Sequence, residues 1–263
     1  MLTEPNIEGL AKWNIRPPRR RKAGLAALVL LRNETQFVIA ALESIVEAVD
    51  EIVICLQGEQ DDATDELVSA WKAGRSNVTV HAYPHLSLPN GPGHGSQPIG
   101  SVYERSYFYN WALSKVRRTH VLKWDGDMVA LDGFAQALRD QKVGEVCNFL
   151  RIQGYEIVAT NPLRTSATQP MTPLSTRVFP ADAAIYATGE MCEQLNCAGR
   201  GWPMPPAYLH MKWVKPLASQ TQAWPEGWES MEHFQNIMAR AKPGAVYDGP
   251  VPEALLHRWA VDA

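Results

Sequence analysis

Short apolar runs alternate with amphipathic ones through the first half of the chain, and that alternation limits the fold more than any other feature. Residues 25–31 form a continuous apolar run, after which Phe37, Ala41, Leu42, Ile45, Val46 and Val49 recur at helical spacing. Residues 52–56 read as a second strand, 65–72 as a second helix and 78–83 as a third strand. A third helix over 103–116 and a fourth strand over 120–124 complete the series. Strands and helices in strict turn imply a parallel sheet with helices on both faces, because parallel neighbours can be joined only by crossovers. The expected fold class is α/β. Such sheets bind ligands beyond the carboxyl ends of their strands, where the polar clusters of this chain fall.

The 263 residues suffice for a large domain that needs no disulfide or metal staple. A net charge of −3 argues against a chain built to coat nucleic acid, which needs a clustered excess of Lys and Arg. Cys55, Cys147, Cys192 and Cys197 form no C-x-x-C pair and read as reduced, buried thiols of a cytoplasmic protein. Arg19, Arg20, Arg21 and Lys22 precede the first apolar run, but Arg32-Asn33-Glu34 stands where a signal peptide would be cleaved. Residues 1–22 therefore read as a basic arm ahead of a buried strand. The arm is expected to be a solvated tail, with weak peripheral contact to anionic lipid on the inner membrane face as its other role. No apolar run approaches the ~20 residues that span a bilayer. Residues 88–95, rich in Gly and Pro, cannot be regular structure. Residues 160–180, rich in Thr, Ser and Pro, are expected to be a long loop or an acceptor-side elaboration. Trp202, Trp213, Trp224 and Trp228 offer either core or a sugar-stacking platform.

The sharpest local feature is Lys123-Trp124-Asp125-Gly126-Asp127-Met128, which follows the fourth strand. Two carboxylates two residues apart can chelate Mn2+ or Mg2+ while the ion also grips a diphosphate. Gly126 between them lets the backbone approach a ligand closely. An EF-hand is excluded, because Val129 and Ala130 stand where a third oxygen ligand and the turn glycine are required.

Residues 28–34, the helix that follows and Asp50-Glu51-Ile52-Val53-Ile54 resemble the opening of family 2 glycosyltransferases of the GT-A fold, and Asn110-Trp111-Ala112-Leu113-Ser114 matches that family's pattern before the D-x-D strand. Arg177-Val178-Phe179 and residues 186–195 resemble a subgroup related to lipopolysaccharide-core glucosyltransferases, with its R-x-F and G-x-x-H-E segments. The resemblance implies a GT-A-like domain over 23–215, with a nucleotide-sugar half to about 130, an acceptor half beyond it and a C-terminal extension over 216–263. It implies transfer of a sugar from a nucleotide-sugar donor to a hydroxyl of a glycan or glycolipid, with inversion and with Mn2+ or Mg2+ as cofactor. Carried onto this sequence, it places Asn33, Glu34, Gln57, Asp61, Arg105, Asn110 and Asp125 around the nucleotide, gives the metal to Asp125, Asp127 and His210, and makes Glu193 the general base.

The chain departs from the pattern twice: Leu56 and Gln57 stand where a base-recognising Asp is usual, and Cys192 replaces the His before Glu193. A Gln amide still hydrogen-bonds a nucleobase edge. Glu190 is the rival base, three residues from Glu193 on one face of an expected helix over 189–195, with Glu156 and Asp182 in reserve. His210, between Leu209 and Met211, reads as a metal ligand or a core histidine, and Arg105 as a diphosphate partner or a surface cation. Two other functions fit the same fold. A nucleotidyltransferase normally carries a Gly-rich basic first loop, which Arg32-Asn33-Glu34 is not, and a carbohydrate-binding protein would keep the fold without turnover.

Overall fold

Strand β1 (Lys22–Leu31) runs through the middle of the molecule, paired in parallel with β2 (Glu51–Gln57) on one side and β4 (Arg118–Asp125) on the other. Its side chains alternate between two apolar cores, as the period of a strand requires. Ala27, Val29 and Leu31 pack with helices α1 (Val38–Glu43), α2 (Thr64–Lys72) and α4 (Phe134–Asp140), whereas Ala26 and Leu28 pack with α3 (Arg105–Leu113). Helices therefore cover both faces. Strand β3 (Val78–Tyr83) joins β2 in parallel, so the order β3-β2-β1-β4 reverses direction between β1 and β4. That reversal opens a crevice at the carboxyl ends of β1 and β4, the usual ligand position in an open α/β sheet.

This computed structural model describes residues 15, 16, 18, 20–87, 94, 97, 98, 100–143, 145, 149–189, 192–197, 201–215 and 239–256. The large sheet continues through β9 (Ser175–Pro180), β6 (Phe149–Ile152) and β12 (Gly201–Pro203), with β9 antiparallel to both β4 and β6. The fold is mixed α/β with a central, mostly parallel sheet. A smaller sheet in the order β14-β8-β7-β13-β5 lies beyond the end of β4. Its strands are β5 (Met128–Ala130), β7 (Tyr155–Thr160), β8 (Leu163–Ser166), β13 (Tyr208–His210) and β14 (Pro243–Val246). Strands β10 (Ala184–Thr188) and β11 (Glu193–Cys197) form a hairpin against α3.

Several expectations are corrected here. The stretch 160–180 is no long loop, since it contains β8 and β9. The first helix stops at Glu43 and resumes only as a 3-10 turn over Val46–Ala48. Ser44 explains the break: its hydroxyl donates to Ala41 O at 2.8 Å and accepts from Ala130 N at 3.0 Å, competing with the helical ladder. Residues 193–197 are strand rather than helix. Glu193, Leu195 and Cys197 turn inward while Gln194 and Asn196 face solvent, a period of two. Arg21 is no solvated tail residue either. Its guanidinium donates to Val116 O at 3.2 Å and Leu113 O at 3.4 Å, and it pairs with Asp182. Cys55 is buried, Cys197 half-buried and Cys192 exposed, while Cys147, Trp224, Trp228 and most of 88–95 lie outside the described residues. Trp202 is exposed and Trp213 partly so. In the C-terminal segment, β14 pairs with β8 and Tyr247 and Leu255 pack beside Leu209 and Met211.

Candidate active site

The loop leaving β1 is fixed by its neighbour leaving β2. Asn33 adopts a left-handed φ of 55°, which asparagine tolerates better than most residues. Its backbone N–H donates to Gln60 Oε1 at 2.9 Å, its amide donates to Asp61 Oδ2 at 2.9 Å, and its carbonyl Oδ1 accepts Asp61 N at 2.9 Å. Asp62 accepts Thr35 N at 3.2 Å and Thr64 N at 2.9 Å, while Thr64 Oγ1 accepts Glu34 N at 2.7 Å. Asn33, Glu34 and Asp61 are thereby brought to one rim. Gln57 is directed elsewhere: its buried amide donates to the carbonyl and hydroxyl of Ser87 at 3.1 and 2.6 Å.

Asp125 ends β4, and Asp127 precedes β5 across a tight turn. The indole of Trp124 donates to Met128 O at 2.8 Å, and Asp127 O accepts Met211 N at 2.8 Å, so the turn is held from both sides. A side chain at Gly126 would place its Cβ 2.5 Å from Leu31 Cδ2 and 3.0 Å from Glu34 Cγ. Glycine is required here because β1 and its loop press against the turn.

Each carboxylate meets two basic side chains. Lys123 lies two residues before Asp125, hence on the same face of β4, and pairs with it. The antiparallel register of Leu122 with Val178 carries Arg177 to the same level, and its Nη1 lies 2.8 Å from Asp125 Oδ2. Burial works against the charge on Asp125, but Lys123 and Arg177 more than offset it and hold the carboxyl well below its usual range. On Asp127, Oδ2 accepts from Lys215 Nζ at 2.6 Å and Oδ1 lies 3.4 Å from His210 Nε2. Lys215 also donates to Glu34 at 2.9 and 3.0 Å. Burial and the neighbouring charge of Asp127 push Glu34 up to about 8, against the pull of Lys215.

His210 sits opposite Met128 in β5 and beside Glu156 in β7, because β13 lies between those strands. Its Nδ1 is 3.1 Å from both oxygens of Glu156. Burial opposes the imidazolium, yet Glu156 and Asp127 raise its pKa to about 10. His210 thus lies between two carboxylates, those of Glu156 and Asp127.

The remaining wall comes from α3 and the hairpin. Asn110 is buried, its amide donating to Tyr186 O at 2.8 Å and its Oδ1 accepting Tyr186 N at 2.9 Å. Both ends of the amide are thus spent on fastening β10 to α3, which corrects the expectation that Asn110 lines the nucleotide. Ser106 and Thr188 add a 2.6 Å hydroxyl contact. With the hairpin so fixed, Glu193 faces Arg105 at 3.5 Å, and its Oε2 is buried with no hydrogen-bond partner. Arg105 is no surface cation; its guanidinium donates to Tyr109 Oη at 3.2 and 3.3 Å. Burial raises the pKa of the Tyr109 hydroxyl against the pull of Arg105. Glu190 lies outside the described residues.

The carboxylates expected to hold a divalent ion each meet cations in this structure. Asp125 faces Lys123 and Arg177, and Asp127 faces Lys215 and His210. Among the described residues, no three His, Cys, Asp or Glu side chains converge to hold a metal. Sequence reading gave no role to Lys123, Arg177, Lys215 or Tyr109. A strand-period search from Asp125 finds Lys123, helical i+4 spacing from Arg105 finds Tyr109, and Arg177 stands in the R-x-F segment with its partner unread; Lys215 arrives by packing and leaves no local signal.

The basic arm has another setting. Arg20 and Lys22 share with Lys115, Arg117 and Arg118 a cavity of about 640 Å³ at the opposite, amino ends of the strands. Among the described residues no helix is long and apolar enough to cross a membrane.

No family model matches the chain, and no curated protein matches it significantly. Among solved structures, S. aureus TarS 1–349 is similar at 13% identity over 83% of this chain and 75% of that one, with a TM-score of 0.46. TarS 1–349 in complex with UDP-GlcNAc gives 13% identity over 76% and 64% of the two chains and a TM-score of 0.45. The glucosyl-3-phosphoglycerate synthase from Mycobacterium tuberculosis, in complex with Mn2+, UDP and phosphoglyceric acid, gives 15% identity over 52% and 44%, with a TM-score of 0.35. Likeness at this level assigns the chain no ligand and no reaction.

Proposed function

We propose that the chain is a glycosyltransferase of GT-A type that binds a nucleotide-sugar donor at the carboxyl ends of β1 and β4. The observation that carries this reading is the pairing, at the strand-order reversal, of the D-G-D turn with four basic side chains and of Glu193 with Arg105. Two cations on the single carboxylate of Asp125 leave an excess of positive charge beside it, suited to a diphosphate. The rim that Asn33 and Asp61 fasten together offers the exposed Asp61 carboxylate to the nucleoside, and Gln57 shapes the wall behind it through Ser87.

These placements support a displacement at the anomeric carbon. An acceptor hydroxyl of a glycan or glycolipid attacks the anomeric carbon; a new C–O bond forms there while the bond to the diphosphate oxygen breaks. The electron pair leaves with the nucleoside diphosphate, whose growing charge Arg177, Lys123 and Arg105 stabilise. The hydroxyl proton passes to Glu193, whose choice as the base is supported by a buried oxygen that accepts no hydrogen bond and has Arg105 3.5 Å away as its ion-pair partner. A single displacement inverts the anomeric centre. The protein would act on the cytoplasmic side, where nucleotide sugars are found.

Thermal shift with nucleoside diphosphates tests the donor site. A ligand at a hundredfold excess over its Kd stabilises the native state by about 2.7 kcal/mol, so a rise of about 5–10 °C is expected. Arg177→Ala should abolish the rise while the protein stays folded. A folded wild type that responds to no nucleoside diphosphate and no nucleotide sugar would contradict the reading.

A further inference from the structure

Resting on the donor site just proposed, we infer that Lys215 supplies from within the chain the positive charge that a divalent cation would bring, so that the site holds a nucleoside diphosphate without metal. Three segments separated in sequence converge on this ammonium. Glu34 comes from the loop after β1, Asp127 from the turn after β4, and Lys215 follows the 3-10 helix Lys212–Val214. Its Nζ stands 2.6 Å from Asp127 Oδ2 and 2.9 Å from Glu34 Oε2. All three side chains are largely buried, with 12%, 7% and 16% of the Lys215, Asp127 and Glu34 surfaces exposed.

An ion seated on Asp127 would need an oxygen about 2.0–2.1 Å away if it were Mg2+. The ammonium already occupies that approach at Oδ2, and His210 lies against Oδ1. Two cations cannot share the space, so metal could enter only by expelling Lys215. Lysine suits the task, being a compact point charge with three rotatable donors that a phosphate oxygen can share.

Calorimetric binding of UDP, GDP, ADP and CDP, in EDTA and in Mn2+, separates the outcomes. The expected result is that at least one binds in EDTA with an affinity within about threefold of that in Mn2+. Binding in Mn2+ alone overturns the role of Lys215 and leaves the glycosyltransferase reading intact. Binding in neither overturns the reading and this inference with it. Lys215→Met removes the charge and should weaken binding in EDTA by about 10-fold or more, the cost of a charge-assisted hydrogen bond. It also uncovers Asp127 and Glu34, so Mn2+ should restore the lost affinity in the variant while doing little for wild type. If Lys215→Met fails to fold, Lys215→Met/Glu34→Gln relieves the carboxylate repulsion and is measured instead. A folded variant that binds as wild type in EDTA overturns the inference.

Discussion

Removing His210 should cost stability rather than a metal requirement. Its imidazole lies 3.1 Å from both oxygens of Glu156 and 3.4 Å from Asp127, with the Glu156 side chain only 9% exposed. In His210→Ala the Glu156 carboxylate stays buried without its partner. Breaking a buried pair in this way costs about 3–5 kcal/mol. For a protein of this size that lowers Tm by about 6–20 °C, at about 2–4 °C per kcal/mol. His210→Ala/Glu156→Gln should recover most of the loss, because the penalty lies in the stranded charge. The pH dependence has a definite sign. Since the folded pKa is raised to about 10 from an ordinary value of 6.5, the stabilisation is complete below pH 6.5 and fades as pH rises through about 10. Urea unfolding followed by circular dichroism between pH 6 and 10.5 would read both effects as the difference between wild type and variant. A His210→Ala protein within about 0.5 kcal/mol of wild type at pH 7, a deviation ordinary for surface sites, would refute the ion-pair account.

Three further outcomes follow from the geometry. Asn110→Ala strands the N–H and C=O of Tyr186 and should destabilise by about 2–5 kcal/mol in denaturant, yet leave nucleoside diphosphate Kd within about threefold. Gly126→Ala forces a Cβ against Leu31 and Glu34, which should cost about 1–3 kcal/mol and weaken nucleotide binding measured by calorimetry. Glu193→Gln should bind nucleoside diphosphate as wild type does while transferring sugar at least about a hundredfold more slowly, the lower bound for loss of a general base. Near-normal transfer by this variant would move the base to another carboxylate.

The local elements were legible where period and burial agreed. Residues 78–83 form β3 as read, and the alternation of Ala26 to Leu31 between two cores fixes a sheet covered on both faces. Residues 193–197 show how a competing signal misled. Glu190 and Glu193 suggest helical spacing, but the polar-apolar alternation Gln194-Leu195-Asn196-Cys197 is the signal that the hairpin obeys. Among site residues, Asp125 and Asp127 were visible because the motif is contiguous. Their partners were not: Arg177 arrives through an antiparallel strand inside a stretch read as loop, and Lys215 through a chain segment 88 residues beyond Asp127. Sequence shows where carboxylates stand, and only tertiary structure shows which cations already meet them.

The central claim is that donor cleavage occurs at the Asp125–Arg177 cluster with Glu193 as base. Its most direct test is the release of nucleoside diphosphate from a panel of nucleotide sugars, quantified for wild type, Arg177→Ala and Glu193→Gln with a hydroxyl-bearing glycan acceptor. The account predicts release from at least one donor by wild type, and a loss of about a hundredfold or more in each folded variant. Release by the variants at the wild-type rate, or none from a folded wild type with any donor, would contradict it.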